Sequence, residues 1–128
     1  MKSISLESEI EELTRLNEFI EEELLLNQYD IKLIVEEIFV NIVNYSKCSD
    51  IEIFFELNDK QLKMIFVDDG IKFNPLLKDD PEFPDKIEEA KIGGLGIHFV
   101  KTLADDIFYE RIKGENHLTV IKSVENEK

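Results

Sequence analysis

Four short segments in which apolar and polar residues alternate constrain this sequence most. DIEIFFEL and QLKMIFV are separated by three polar residues, and DIFYERI and HLTVIKS follow each other around Gly114. Such alternation is typical of strands with one buried face, and the close spacing within each pair predicts a hairpin. The sequence therefore predicts a largely antiparallel sheet, one face of which another layer has to cover.

Helical periodicity elsewhere in the sequence predicts the helices that form the covering layer. Apolar residues recur at helical spacing over about 7–26 and again from a predicted N-cap at Asp30 to about Tyr45. GLGIHFVKTLAD predicts a third helix, and KSISL a short first strand. The order β-α-α-β-β-loop-α-β-β predicts an α+β, two-layer sandwich with helices on one face of a mostly antiparallel mixed sheet.

Length and composition limit the classes of function. The chain of 128 residues is long enough for a core, so we expect one domain over residues 1–128. A formal net charge of −14 disfavours nucleic acid and anionic membranes as partners, although a local site can still hold one anionic ligand. No apolar run reaches the roughly 18 residues that a membrane span needs, and early acidic residues argue against a secretion signal. The single cysteine, Cys48, fits a reducing environment, so we expect a cytoplasmic protein.

A polar strip crosses the second predicted helix. Glu37, Asn41 and Asn44 fall at positions i, i+4 and i+7, so they line up along the helix axis, away from the core stripe and from the solvated face. A carboxylate and two amides in an apolar surface need partners, because an unpaired buried polar group is costly. The strip can be an edge satisfied by water or by a neighbouring loop, or it can face a ligand.

Two later features add candidate groups. Asp68 shares the parity of the apolar residues of its strand, so it points into the helix–sheet layer at the strand end. Gly70 follows, where the lack of a Cβ lets another group approach the backbone closely. The glycines of KIGGLGIHFVK open the third helix and can form an anion site, although such an entry can also be only a turn. They form neither a P-loop nor a dinucleotide fingerprint.

In combination, these features resemble the Bergerat-fold ATPases, which include DNA gyrase, sensor histidine kinases and anti-sigma-factor serine kinases. The shared pattern is E-x-x-x-N on a helix, D-x-G at a strand end and G-x-G at a later helix start. The likeness is closest to the small anti-sigma-factor kinases and rests on EEIFVNIVNYS, VDDGIKFNPL and GGLGIHFVK. It spans residues 30–123 closely and implies ATP and Mg²⁺ as ligands.

The resemblance implies a role for each matching residue. Glu37 matches the family's general base, and Asn41 matches the asparagine that holds Mg²⁺. Asp68 matches the aspartate that accepts a hydrogen bond from the adenine amino group, and Gly70 the glycine that makes room for the ring. The remaining matches are the residues at the phosphates and a late threonine near the adenine aspartate: Gly94, Leu95, Gly96 and Thr119. The loop over residues 71–92 matches the lid.

The sequence departs from the family pattern in two places. Lys72 stands where many relatives have a second glycine after the strand aspartate. Ile92 and Gly93 stand where sporulation- and stress-type kinases often have an arginine. These departures leave ATP binding intact but leave open how efficient phosphoryl transfer is. His98, early in the third helix, is interpreted as packed or exposed and not as catalytic.

Two classes of function remain open. The chain can be a protein serine/threonine kinase that phosphorylates an anti-sigma-factor antagonist and can itself sequester a sigma factor; Glu37 favours this reading. It can instead be a non-catalytic or weakly catalytic ATP-binding module that acts by partner binding, which the missing arginine favours. An α+β domain without nucleotide is a third reading. In addition, Phe54, Ile65 and Val67 lie on the uncovered sheet face, where we expect a homodimer or partner contact.

Overall fold

Five strands and three α-helices form the described part of the chain, which in this computed structural model comprises residues 1–26, 28–77 and 94–124. In chain order the elements are β1 (Lys2–Glu7), α1 (Leu13–Glu22), α2 (Tyr29–Tyr45), β2 (Asp50–Asn58), β3 (Gln61–Asp68), α3 (Gly94–Leu103), β4 (Asp106–Ile112) and β5 (Glu115–Ser123). Short 3₁₀ helices lie at Ile10–Glu12 and Pro75–Leu77. The predicted order of elements is confirmed.

The five strands form one sheet in the order β1-β2-β3-β5-β4. All four pairings between neighbouring strands are antiparallel, so the described sheet lacks the parallel component that "mixed" implied. Each hairpin makes its own two strands neighbours, and the pairing of β3 with β5 joins the two hairpins, so β3 lies at the centre of the sheet. The end of β3, which carries Asp68, therefore has a neighbouring strand on each side.

Both hairpins turn through two residues. In the β2–β3 turn Asp59 has φ 55°, and in the β4–β5 turn Lys113 and Gly114 have φ 49° and 80°. In the β2–β3 turn Lys60 does not share the positive φ of Asp59. The β4–β5 turn has positive φ at both central residues, which is the mark of the type I′ turn, whose twist matches that of the flanking strands. Gly114 adopts this conformation at no steric cost.

One hydrophobic core lies between the sheet and the helices. The inward parity of β2 and β3 and the inner face of α2 are buried together, with Phe39, Phe55 and Phe66 among the largest buried side chains. Burying a side chain of this size contributes about 1.5–3 kcal/mol relative to leaving it exposed. Residues of α1, α3 and β5 join the same core, so the helices cover one face of the sheet, as predicted.

The ends of the first two helices differ from the sequence prediction. The segment predicted as one helix over 7–26 forms the 3₁₀ turn and then α1, which ends at Glu22. α2 begins at Tyr29 after Gln28, whose extended backbone makes it the N-cap, so the assignment of the cap to Asp30 was wrong. Asp30 lies instead in the first turn, where its negative charge interacts favourably with the positive end of the helix dipole.

Candidate functional site

The polar strip of α2 combines a buried amide with a half-buried carboxylate. Asn41 is fully buried, and its Nδ2 donates to the Glu37 carbonyl oxygen one turn earlier at 3.0 Å. Because the backbone engages the amide nitrogen, the amide oxygen is the atom that Asn41 can offer to a cation. Glu37 lies at the border of the core and Asn44 is exposed, so the strip runs from the interior to the surface.

The environment of Glu37 suits a proton acceptor. Burial, with a smaller contribution from the neighbouring charge of Glu36, raises the pKa of Glu37 above its ordinary value. A carboxylate with a raised pKa is a stronger base than an ordinary glutamate, and such shifts are common in active sites.

The predicted phosphate-binding residues lie at the start of α3, which packs against α2. The helix begins at Gly94, so the backbone of Gly94, Leu95 and Gly96 forms its first turn, where N–H groups have no partner within the helix. Ile97 and Val100 anchor this helix in the core. Ile92 and Gly93 lie outside the described residues, as does the predicted lid from residue 78 onward.

Asp68 is buried at the end of β3, as its parity predicted, with 3% of its surface exposed. Its Oδ1 accepts hydrogen bonds from Ser46 Oγ, from the Gly70 N–H at 2.9 Å and from Asn116 Nδ2 at 3.0 Å. Three donors on one oxygen leave it saturated. No described residue donates to the second carboxylate oxygen, Oδ2. Asp68 thus combines a fixed position with a free acceptor atom.

Gly70 brings the end of α2 into contact with the chain after β3. A Cβ on this residue would lie 2.1 Å from both the backbone oxygen and the Oγ of Ser46. The Ile71 N–H also donates to the Ser46 carbonyl oxygen at 2.8 Å. A glycine is therefore needed here for packing within the protein. That Gly70 also makes room for an adenine ring stays a prediction.

Asn116, on β5, links Asp68 to the closing hairpin. The register of β3 and β5 places it directly opposite Asp68. Its side-chain oxygen accepts from the Tyr109 hydroxyl, from Arg111 Nη1 at 3.0 Å and from the Phe73 N–H at 3.1 Å. Arg111 also donates to the Gly70 carbonyl oxygen at 2.9 Å. The chain after β3 is therefore bonded both to α2 and to β4–β5.

Thr119 does not lie beside Asp68, contrary to the match with the family's late threonine. It pairs with Ile65 of β3 and Phe108 of β4, three positions along from Asn116. Because side chains alternate along a strand, Thr119 points to the opposite face of the sheet. Threonine is common in strands, and the sequence match did not fix which face it occupies.

Asn116 and Ser46 were missed because neither belongs to a recognised motif. Asn116 shares the parity of Leu118 and Val120, which are buried, so it is a polar residue on an apolar face. That is the signal that identified Asp68, and it was equally present in HLTVIKS and the residues before it. Ser46 could be found only once Gly70 was known to touch it.

Two other reactive side chains are His98, on α3, and Cys48, which lies beside Ser46 and Asp68. His98 is exposed on α3, one of its two predicted placements, with its ring 6.1 Å from that of Phe99. Burial is the largest effect on Cys48 and raises the pKa of its thiol, which makes it a poor nucleophile. In the described ranges, no three His, Cys, Asp or Glu side chains form a metal cluster. None of the helices in those ranges is both long and apolar enough to cross a membrane.

The site residues present fit a nucleotide with its magnesium ion. Asp68 has a free acceptor at the bottom of the layer, and α3 offers N–H groups at its start. Asn41 offers one amide oxygen, and Mg²⁺ bound to phosphates commonly takes few ligands from the protein. The structure thus brings Glu37 and Asn41 together on α2. It joins Asp68 and Gly70, at the end of β3, to Ser46 at the end of the same helix.

Comparison with known proteins agrees with this geometry. The family model of the histidine kinase-like ATPase domain matches residues 6–122. Among solved structures, the histidine kinase AdeS of Acinetobacter baumannii is similar, with a TM-score of 0.56 and 13% sequence identity. The match covers 98% of this chain and 69% of that one, and at this identity it concerns the fold. No curated protein gives a sequence match.

The family match extends over most of the sequence, and it includes every element that carries the site. The fold agrees with it independently. The chain therefore belongs to the histidine kinase-like ATPase domain family, and its coarse function is that of an ATP-binding regulatory domain.

Proposed function

We propose that the chain is an ATP-dependent protein serine/threonine kinase of the anti-sigma-factor type. The observation that carries the proposal is the pair formed by Glu37 and Asn41. The two side chains lie one turn apart on α2, the first with a raised pKa and the second with its amide nitrogen held by the backbone. A proton acceptor beside a cation ligand is the combination that phosphoryl transfer to a hydroxyl group requires.

In this proposal each residue has a separate task. Asp68 accepts a hydrogen bond from the adenine amino group through Oδ2, and Asn41 provides an oxygen ligand for Mg²⁺. Bound Mg²⁺ neutralises charge on the phosphates. Glu37 accepts the proton of a serine or threonine hydroxyl on the partner protein, and the first turn of α3 holds phosphate oxygens through its N–H groups.

The partner in this proposal is an anti-sigma-factor antagonist, and a sigma factor can be sequestered by the same chain. The resemblance of the three motifs to the small anti-sigma-factor kinases supports this assignment. The need for ATP and the single free cysteine favour a cytoplasmic location.

The uncovered face of the sheet supports a protein partner. Its central row pairs across four strands and is apolar at three of its four positions: Phe54, Ile65, Thr119 and Phe108. Acidic side chains flank this row on the same face: Glu52, Glu56, Asp106 and Glu110. With a net charge of −14, a second copy of the chain would be repelled from this face. We therefore propose a partner surface that is apolar at its centre and basic at its rim.

The alternative is an ATP-binding module that acts only by partner binding. The stretch Ile92–Gly93 in place of an arginine favours it, since that arginine would stabilise charge on the transferred group. Partner phosphorylation separates the two functions.

The test compares Glu37→Gln with Asn41→Ala, using Glu18→Gln, an exposed change on α1, as the control. For the kinase, Glu37→Gln should lower the rate of transfer from radiolabelled ATP to the antagonist on the order of 10²–10⁴-fold, since the general base is lost. ATP affinity should change little. Asn41→Ala should weaken binding of Mg-ATP more than that of Mg-free ATP and also stop transfer. Wild-type transfer by Glu37→Gln would contradict the catalytic role.

A further inference from the structure

The amide of Asn116 is held in one orientation. Its oxygen accepts from three groups, the Tyr109 hydroxyl, Arg111 Nη1 and the Phe73 N–H. A flipped amide would place its NH₂ group against these donors. The nitrogen must therefore face the other way, where it donates to Asp68 Oδ1 at 3.0 Å and to the Ile71 carbonyl oxygen at 2.7 Å.

This orientation determines what Asp68 can do. Asn116 Nδ2 is one of the three donors that saturate Oδ1, together with Ser46 Oγ and the Gly70 N–H. These donors come from β5, from the end of α2 and from the chain after β3, so they fix the plane of the carboxylate. Among the described residues none donates to Oδ2, which is thus the atom presented to a ligand. Asn116 is itself buried, with 3% of its surface exposed.

We propose that Asn116 is a positioning residue for purine recognition. By holding Oδ1 from the β5 side, it aims Oδ2 of Asp68 at a ligand donor, the 6-amino group of adenine. It thereby sets the preference for adenine over purines that lack this group. The inference rests on the proposed role of Asp68 as the adenine acceptor.

A purely structural role for Asn116 makes a different prediction. If its bonds only tied β5 to the residues after β3, their loss would weaken the binding of every purine nucleotide to the same degree. Positioning of Oδ2 affects only ligands that donate to it. The ratio of affinities for ATP and for purine riboside 5′-triphosphate, which lacks the 6-amino group, separates the two roles.

The experiment measures both affinities by calorimetry for the full chain. Wild type should prefer ATP, and Asp68→Ala should abolish that preference. Asn116→Leu has a similar volume but no hydrogen bonds. It should weaken ATP binding by roughly three- to tenfold, the effect of one hydrogen bond, and leave purine riboside triphosphate unchanged. Thr119→Val, on the opposite face of the same strand, is the matched control and should keep the wild-type ratio.

A second variant covers the case in which Asn116→Leu does not fold. Asn116→Asp keeps the shape and the acceptors for Tyr109 and Arg111, but it places a carboxylate oxygen against Asp68. The two carboxylates repel each other at the place where Asn116 Nδ2 donates, so Asp68 is no longer held from the β5 side. This variant should also lose the preference for ATP.

The outcomes distinguish the inference from the function on which it rests. If wild type prefers ATP and both Asn116 variants keep that preference, the positioning role is overturned and the adenine acceptor stands. If the Asn116 variants lose affinity for both nucleotides equally, the residue is structural only. If wild type shows no preference for ATP, Asp68 is not the adenine acceptor, and the positioning role of Asn116 is overturned as well.

Discussion

Single polar side chains in apolar surroundings define this site. Asn41, Asp68 and Asn116 are each almost completely buried, and each has hydrogen-bonding partners. Glu37 differs because it is only half-buried. Burial and the nearby Glu36 charge make its ionised form unfavourable in the folded chain, which raises its pKa. A charge of this kind should be visible in stability as well as in catalysis.

Glu37→Gln is therefore expected to stabilise the fold at neutral pH. The folded chain keeps the Glu37 proton to a higher pH than the unfolded chain does, so it binds more protons between the two pKa values. The carboxyl group costs nothing below the ordinary glutamate pKa, and it costs stability as pH rises through the raised one. Thermal unfolding should show a higher Tm for Glu37→Gln at pH 7 and equal Tm values at about pH 4 or below.

The control for this measurement is Glu18→Gln, an exposed change on α1. It should not reproduce the difference between the two pH values. A lower Tm for Glu37→Gln at pH 7 would mean that the ionised side chain is stabilised by an interaction that the half-buried site does not explain.

The alternation of side chains between the two faces of a strand decided which strand residues of the site could be predicted from the sequence. Asp68 was placed correctly because it continues a buried alternation to the strand end. Thr119 was misplaced because a motif match carries no information about which face of the sheet a residue occupies. Asn116 carried the same parity signal as Asp68, but its place opposite Asp68 depends on strand register. Ser46 depends on the approach of α2 to Gly70, and both dependences are tertiary.

At the scale of elements, the hairpins were predictable and the helix ends were not. Alternation and a two-residue turn specify a hairpin locally, and both were found. Apolar spacing continued beyond α1 in both directions, but the chain leaves the helix after Glu22. At α2 the cap depends on the backbone of Gln28, and no side-chain cap bond marks the start.

The contact of Ser46, at the end of α2, with Gly70, after β3, forms a junction between these elements and leads to a prediction about two glycines. Gly70→Ala should lower the free energy of unfolding by about 1–3 kcal/mol, the usual cost of overpacking, because the added Cβ meets the Ser46 backbone. Ser46→Ala should not rescue it, since the carbonyl oxygen remains in place. Chemical denaturation measures both variants.

Gly114→Ala is the matched control for the junction. A Cβ there meets nothing within 4 Å, and only the positive φ opposes it. Its cost should be about 1 kcal/mol. Rescue of Gly70→Ala by Ser46→Ala would show that the hydroxyl, and not the backbone, limits the approach.

At the scale of the whole molecule, helices cover one face of the sheet. The other is the uncovered face described above, and it is called the open face below. The fold class was predictable because four alternating strands and three amphipathic helices have few ways to bury their apolar faces. The partner of the open face was not predictable, because alternation identifies an apolar row but not what covers it. Val67, half-buried beside that row, provides the test.

Val67→Glu should abolish binding to the basic-rimmed partner while leaving ATP affinity unchanged. It adds a further acidic group to the open face, and it lies on the side of β3 away from Asp68. Binding of wild type to the antagonist and to the sigma factor is measured by calorimetry, and it should weaken with rising salt. Thr14→Glu, an exposed change on α1, is the control.

Light scattering completes this test. We expect a monomer, because the acidic rim opposes self-association. A wild-type dimer that Val67→Glu separates would show that the open face binds a second copy. Unchanged binding of both proteins by Val67→Glu would remove the face as a partner site.

The residues that form the site are far apart in the sequence, and this distance has a consequence for biosynthesis. Asp68 emerges from the ribosome with β3, whereas Asn116, 48 positions later, emerges only with the last strand. A nascent chain exposed as far as β3 therefore carries a carboxylate that one of its three donors cannot yet reach, and α3 is also missing. Long-range pairing of this kind forms late. Nucleotide can consequently stabilise the finished domain, but it cannot guide the early steps of its folding.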